Sequence, residues 1–233
     1  MKLSRFGPKS RVVFITAVAL MLALTVSTMA FGRELRVYNY VDLARCAGTW
    51  AFGTRAIAVG PDAGQISAAG DTCVVMPGVY TAADLDGDVD TDPIYVTLEN
   101  ITIRSANGAL ATIITGGGIA PGDATDPDGA GPLPPIAEVG VIVIMADGVM
   151  IGGPKADQGL TIQGGPPGVS GIAIGPAGTM AGQADEGITI QNNIIRANGL
   201  NGTSVLTLGS LELFKFLDNT IRENVGAGIF FAP

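Results

Sequence analysis

A chain of 233 residues has room for one domain, and 47% hydrophobic against 15% charged residues excludes a disordered chain. Its 34 glycines do not recur at every third position, which excludes collagen. The formal charge is −8 and histidine is absent, which argues against a nucleic-acid partner and excludes histidine general-base catalysis.

Residues 1–30 read as a signal peptide. Lys2, Arg5, Lys9 and Arg11 make a basic start, residues 12–26 an apolar run, and Thr28-Met29-Ala30 a small-x-small cleavage site. The run is short for a full span, and no later stretch could cross a membrane. The mature protein is therefore expected to be secreted or held at the cell surface, with no stable membrane span. Removing four positive charges and no negative ones takes the formal charge from −8 to −12. That field would weaken capture of a polyanion such as pectate unless divalent cations intervene.

Residues 31–70 are irregular and read as an amino-terminal cap. Leu35, Val37 and Tyr40 suggest a strand start, and Val41 to Cys46 a short helical turn. Trp50 and Phe52 add apolar bulk. Cys46 and Cys73 are the two cysteines, and in an exported chain they predict a disulfide stapling this cap to the first coil. Neither a histidine nor a close cysteine pair is available for a zinc site.

Regular character begins at Asp71. Short apolar runs follow at 72–76, 79–80, 94–96, 100–104, 111–114, 141–145, 149–151, 159–163, 171–174 and 205–208, each bounded by turn residues. Between them lies an acidic loop with Asp84, Asp86, Asp88, Asp90 and Asp92. Alternating carboxylates around a glycine can wrap Ca²⁺, which wants about six to eight oxygens. The closing Glu and flanking helices of an EF-hand are missing, so a solvated corner loop is the plainer reading. Asp123, Asp126 and Asp128 have the same flavour. The Gly/Pro/Ala-rich stretches 119–135 and 164–182 read as corner insertions that shape a groove over one face.

Two passages are near copies, GITIQNNIIRANGLN from Gly187 and LFKFLDNTIRENVG from Leu213. At an offset of 26 residues, Ile190 falls on Phe216, Asn193 on Asn219, Ile195 on Ile221, Arg196 on Arg222 and Asn198 on Asn224. A fixed period of this size predicts a solenoid whose coils stack to bury their apolar faces. Three short strands per coil account for the period, and Leu160-Thr161-Ile162-Gln163 is read as the equivalent of Ile188 to Gln191, 28 residues later. No helical pattern links the strands, which argues against an α/β sheet. Asn193 over Asn219 reads either as a side-chain amide ladder or as two ordinary turn residues.

The run Asn100-Ile101-Thr102-Ile103-Arg104-Ser105, the two copies and Val74-Val75-Met76-Pro77-Gly78-Val79-Tyr80 resemble coils of the right-handed parallel β-helix superfamily typified by pectate lyases. The resemblance spans roughly Asp71 to Phe231. It implies an all-β, right-handed parallel β-helix with three short strands per coil, covering residues 71–233. The chain reaches Pro233 as a strand begins, which reads as an incomplete helix, truncated at its carboxy end. Lyases, hydrolases, epimerases, esterases and non-enzymatic surface proteins share the fold, so the resemblance implies no single activity.

A lyase needs carboxylates on Ca²⁺ plus a basic residue for the α-proton. Arg104, Lys155, Arg196, Lys215 and Arg222 are available, but the Arg-centred signature of pectate lyases is absent. A hydrolase needs two facing carboxylates; Asp185 with Glu212 approximates the register, whereas Asp218 aligns on Asn192. Sugar-stacking aromatics are limited to Trp50, Tyr80 and Tyr95. The sequence therefore favours an exported β-helix binding or structural module, with a polysaccharide as the expected ligand, over a polysaccharide lyase or glycoside hydrolase.

Overall fold

In a computed structural model, the described residues are 32–48, 67–83, 91–116, 139–175, 186–205 and 213–231. Residues 1–30, where a signal peptide is expected, and residues 49–66 lie outside them. The chain enters through β1 (Glu34–Val37) and α1 (Tyr40–Ala47), and then repeats one path. Coil one is β2 (Thr72–Val75), β3 (Gly78–Thr81) and β4 (Ile94–Val96). Coil two is β5 (Thr102–Ser105), β6 (Thr112–Thr115) and β7 (Val139–Ile144). Coil three is β8 (Met150–Ile151), β9 (Thr161–Gln163) and β10 (Val169–Ile174). Coil four is β11 (Thr189–Gln191), β12 (Ile194–Arg196) and β13 (Thr203–Val205). Coil five is β14 (Lys215–Leu217), β15 (Thr220–Arg222) and β16 (Ile229–Phe231).

Every strand pairs in parallel with its equivalent one coil away. The first sheet runs β1-β2-β5-β8-β11-β14, the second β3-β6-β9-β12-β15 and the third β4-β7-β10-β13-β16. The described chain is an all-β parallel solenoid with three strands per coil.

The alternation of side chains builds its core. In the first sheet Cys73, Ile103, Ile151, Ile190 and Phe216 share one register position. Tyr80, Ile114, Ile162, Ile195 and Ile221 do so in the second. In the third, Val96, Ile144, Ile174, Val205 and Phe231 line up. Up to coil four all these residues are buried. Each such aliphatic side chain contributes about 1.5–3 kcal/mol relative to exposure. Because the columns run along the axis, a residue touches its equivalents one coil away rather than a distant part of the sequence.

One sequence alignment is corrected. Thr161–Gln163 and Thr189–Gln191 belong to different sheets; β9 pairs with β12, setting Ile162 against Ile195 and Gln163 against Arg196. The partner of Thr189 and Ile190 is the shorter strand Met150–Ile151. A 3-10 turn at Ala156–Gln158 is inserted between β8 and β9 and displaces the period in that coil.

Toward the amino end the segment at 31–70 does two things. β1 adds an outer strand to the first sheet, with Leu35 against Cys73 and Val37 against Val75. α1 then turns in, burying Tyr40, Leu43, Ala44, Cys46 and Ala47. Asn39 caps it, its side-chain oxygen accepting the Asp42 N–H at 2.8 Å. Gly48, at φ 95°, closes the far end with its N–H on the carbonyls of Ala44 and Arg45. Thr97 donates its N–H to Ala47 O at 3.1 Å, so the helix end is hydrogen-bonded to the chain leaving β4. Cys46 and Cys73 form a disulfide with a sequence separation of 27, joining α1 to β2. Loop closure of that length is worth roughly 3.5 kcal/mol in the chain-entropy account. No helix among the described residues is long and apolar enough to cross a membrane.

Candidate functional site

Asparagine corners bind successive coils together. In coil four the chain turns from the first sheet to the second through Ile190, Gln191, Asn192 and Asn193, with Asn192 in the left-handed region at φ 60°. Such a turn leaves the Ile190 carbonyl and the Asn193 N–H pointing toward the next coil. Asn219 supplies both partners. Its Nδ2 donates to Ile190 O at 2.7 Å, and its Oδ1 accepts the Asn193 N–H at 3.0 Å. Asn193 repeats the arrangement on coil three, donating to Ile151 O and accepting from Leu160 N, both at 2.9 Å. The two amides meet at 3.2 Å, Asn193 Nδ2 donating to Asn219 Oδ1.

A second ladder stands at the next corner. Asn224 accepts the Asn198 N–H at 3.1 Å and donates to Ile195 O at 3.2 Å. Asn198 accepts from Gly165 N at 3.1 Å, and its Nδ2 reaches Asn224 Oδ1 at 3.0 Å. The sequence contained the signal, since Asn198 falls on Asn224 in the same alignment, but Asn193 and Asn219 alone were read as a ladder. At the third corner Asn201 Oδ1 accepts the Ala227 N–H at 2.8 Å, and the buried hydroxyls of Ser170 and Ser204 pair at 2.8 Å. No sequence period marks that pair, because Ser170 and Ser204 lie 34 residues apart.

The acidic loop is located only in part. Asp84, Asp86, Asp88 and Asp90 lie outside the described residues. Asp92 is buried, its N–H on Ala83 O at 3.1 Å and its carbonyl accepting the Tyr40 hydroxyl at 2.6 Å. Burial, helped by the Asp92 charge, raises the Tyr40 pKa well above the usual phenol value. Among the described residues no three His, Cys, Asp or Glu side chains gather as a metal site. Asp123, Asp126, Asp128, Asp185 and Glu212, like Trp50, fall outside the described residues.

Tyr80 is corrected as a sugar platform. It is buried, its hydroxyl lies 2.8 Å from both Val37 O and Met76 O and shares its one proton between them, and burial pushes its pKa up to about 12. It is a core residue that ties β1 to coil one.

Outward-facing residues also form columns. Glu34, Thr72, Thr102, Met150, Thr189 and Lys215 share one register position on the first sheet. Thr115, Gln163, Arg196 and Arg222 share one on the second. Arg196 Nε donates to Gln163 Oε1 at 2.9 Å, and Arg222 approaches Glu223 at 3.5 Å in an exposed pair. Arg104 spans two strands to Glu34 at 2.6 Å. Asp218, at φ 52°, occupies the left-handed corner below which Asn192 lies in coil four.

Asp71 is the one buried carboxylate with a resolved pKa shift among these groups. Burial alone would raise its pKa; the Arg33 guanidinium at 2.7 Å and the backbone N–H groups of Ala68 and Arg33 outweigh it and hold the carboxyl below its usual value. No protein-family model matches this chain, and no curated protein or solved structure matches it.

Proposed function

We propose that this chain is an exported β-helix module that binds an extended polysaccharide along the outside of its coils. The observation behind this reading is the pair of outward columns on the first and second sheets. They offer hydroxyl, amide and guanidinium groups at intervals of about 4.8 Å, the spacing of paired strands. Thr72, Thr102 and Thr189 supply hydroxyls on one flank, while Gln163, Arg196 and Arg222 supply amide and cationic groups on the other. A ligand that itself repeats can meet the same group on successive coils, so weak contacts add along its length. Export is supported by the leader pattern at 1–30 and by the Cys46–Cys73 disulfide. Ca²⁺ held by Asp84, Asp86, Asp88 and Asp90 would admit an acidic glycan to this negatively charged chain. The resemblance of the coils to the pectate-lyase superfamily makes a lyase or hydrolase the rival reading.

The purified chain should retain a neutral or acidic polysaccharide in affinity electrophoresis without releasing products. Retention should weaken when Arg196 and Arg222 are both replaced by Ala. Unsaturated or reducing-end products from a uronate panel with Ca²⁺ would establish the enzymatic rival instead. Neither retention nor product across neutral and acidic glycans would end the carbohydrate reading.

A further inference from the structure

The chain holds three Asn-Gly pairs, Asn107-Gly108, Asn198-Gly199 and Asn201-Gly202. In this pairing the glycine nitrogen can reach the preceding carboxamide with no Cβ in the way. Every other asparagine is followed by a residue that carries a Cβ. The fold treats the three pairs differently. Asn198 is 1% and Asn201 5% exposed, and both carboxamides are engaged. Asn198 bonds Gly165 N and Asn224 Oδ1, while Asn201 accepts the Ala227 N–H and donates to Ser204 Oγ. Their glycine N–H groups donate to main-chain carbonyls, Gly199 to Gly165 O and Gly202 to Ala227 O, both at 2.9 Å.

Asn107 stands exposed at the corner between β5 and β6, and no described residue hydrogen-bonds its carboxamide. The Gly108 N–H donates to a hydroxyl, Ser105 Oγ, at 2.9 Å. That oxygen also accepts the Asn107 N–H at 3.0 Å and shares a hydrogen bond with Thr112 Oγ1 at 2.7 Å. An acceptor divided in this way restrains the Gly108 nitrogen less than a carbonyl of its own would. We infer that Asn107-Gly108 is a self-modification site whose only reagent is water. The Gly108 nitrogen loses its proton and bonds to Asn107 Cγ. The Cγ–Nδ2 bond breaks, and the proton leaves with that nitrogen as ammonia. Water then opens the five-membered imide. Opening at Cγ gives aspartate, and opening at the main-chain carbonyl gives isoaspartate.

The corner has little slack for either product. A Cβ on Gly108 would lie 3.4 Å from Asp157 Cα, so the loop packs against the 3-10 turn inserted before β9. Two residues on from Asn107, Ala109 O accepts the Thr161 hydroxyl at 2.6 Å, a bond that joins coils two and three. Aspartate adds a charge one residue from the Asp157 contact. Isoaspartate adds a carbon to the main chain at the same point. The contact between coils two and three therefore changes with the age of the molecule, whereas the asparagine ladders keep their carboxamides.

The full chain is incubated at mildly alkaline pH, once folded and once unfolded in guanidinium chloride, and sampled over days. Peptide mapping locates the mass change from amide to acid, and enzymatic isoaspartyl methylation scores isoaspartate. In the folded chain Asn107 should convert at least about tenfold faster than Asn198 or Asn201. In denaturant all three should convert at comparable rates, because the hydrogen bonds that separate them are gone. Asn107→Gln should silence the signal from that peptide in both states. An Asn107 that stays intact in the folded chain would overturn the inference. So would conversion of Asn198 or Asn201 in the folded chain as fast as Asn107, since exposure and bonding would then not select the site.

Discussion

At the scale of single residues, the chain solves a problem that every coiled strand meets: a tight corner leaves backbone groups pointing along the axis. Asparagine suits the task because one planar carboxamide both donates and accepts, and so answers a carbonyl and an N–H three residues apart. Aspartate would leave the carbonyl without a donor, and alanine would leave both groups unmet. Replacing Asn219 by Ala should therefore cost about 1–3 kcal/mol, since Ile190 O and Asn193 N lose their partner at a partly buried corner. Urea denaturation of the variant would show it as a lower midpoint at unchanged slope, and an unchanged midpoint would refute the ladder's energetic role. The same corners tolerate asparagine for a backbone reason. Asn100 and Asn192 take φ of 57° and 60°, the left-handed region that asparagine enters more readily than most side chains.

At the scale of elements, an eight-residue helix such as α1 is marginal alone and must be held by its neighbours. The disulfide holds its last turn to β2, the Tyr80 hydroxyl holds the end of β1, and Asp71 holds its beginning through Arg33. The last of these titrates. The folded state keeps Asp71 below its ordinary value of 3.8, so acidification protonates the unfolded chain first and shifts the balance toward it. The contribution is complete above that value and fades as pH falls through the lower folded pKa. In melting curves taken from neutral pH downward, the gap between the native chain and Asp71→Asn should be full well above the ordinary carboxylate value and narrow as the pH falls below it. A gap that stays constant would show that Asp71 acts only by packing. These elements were unequally legible. The alternating runs marked most strands, and the 26-residue copies set β11 against β14 and β12 against β15; the run read at 205–208 meets β13 only at Val205. The strand and turn suspected around Leu35 and Val41 are β1 and α1. What misled was Thr-Ile-Gln, which occurs in both β9 and β11. Both sheets place a buried isoleucine between two polar residues, so local sequence cannot say which sheet a strand joins. Only pairing with the previous coil decides it, and the 3-10 insertion before β9 disguises that pairing.

At the scale of the whole molecule, a solenoid's stability is a sum of coil and neighbour terms, so its two ends need not be equal. Among the described residues coils two to four each have a coil on both sides, and coil one has coil two on one side with β1 and α1 on the other. Among the described strands, those of coil five pair with coil four alone. Coil five also places Leu213, Asp218 and Glu223 at φ of 58°, 52° and 60°; the register equivalents of Leu213 and Glu223 in coil three are Gly148 and Gly164. Each left-handed non-glycine residue costs about 1 kcal/mol or more. Coil five thus combines the most corner strain with the least burial, its Ile221 and Phe216 only partly covered. The free energy of opening should accordingly fall along the axis. In native-state hydrogen exchange, the amides that bond coil five to coil four, such as Lys215 to Ile188 O and Thr220 to Asn193 O, should exchange through a local opening well below global unfolding. Thr189, bonded to Val149 O, should exchange more slowly, and Thr102, bonded to Asp71 O beside the disulfide, near the global limit. Low denaturant should release the first pair without affecting the last. One common opening energy for all four amides would mean that the coils unfold as a single unit, with the strain of the last corners shared along the whole axis.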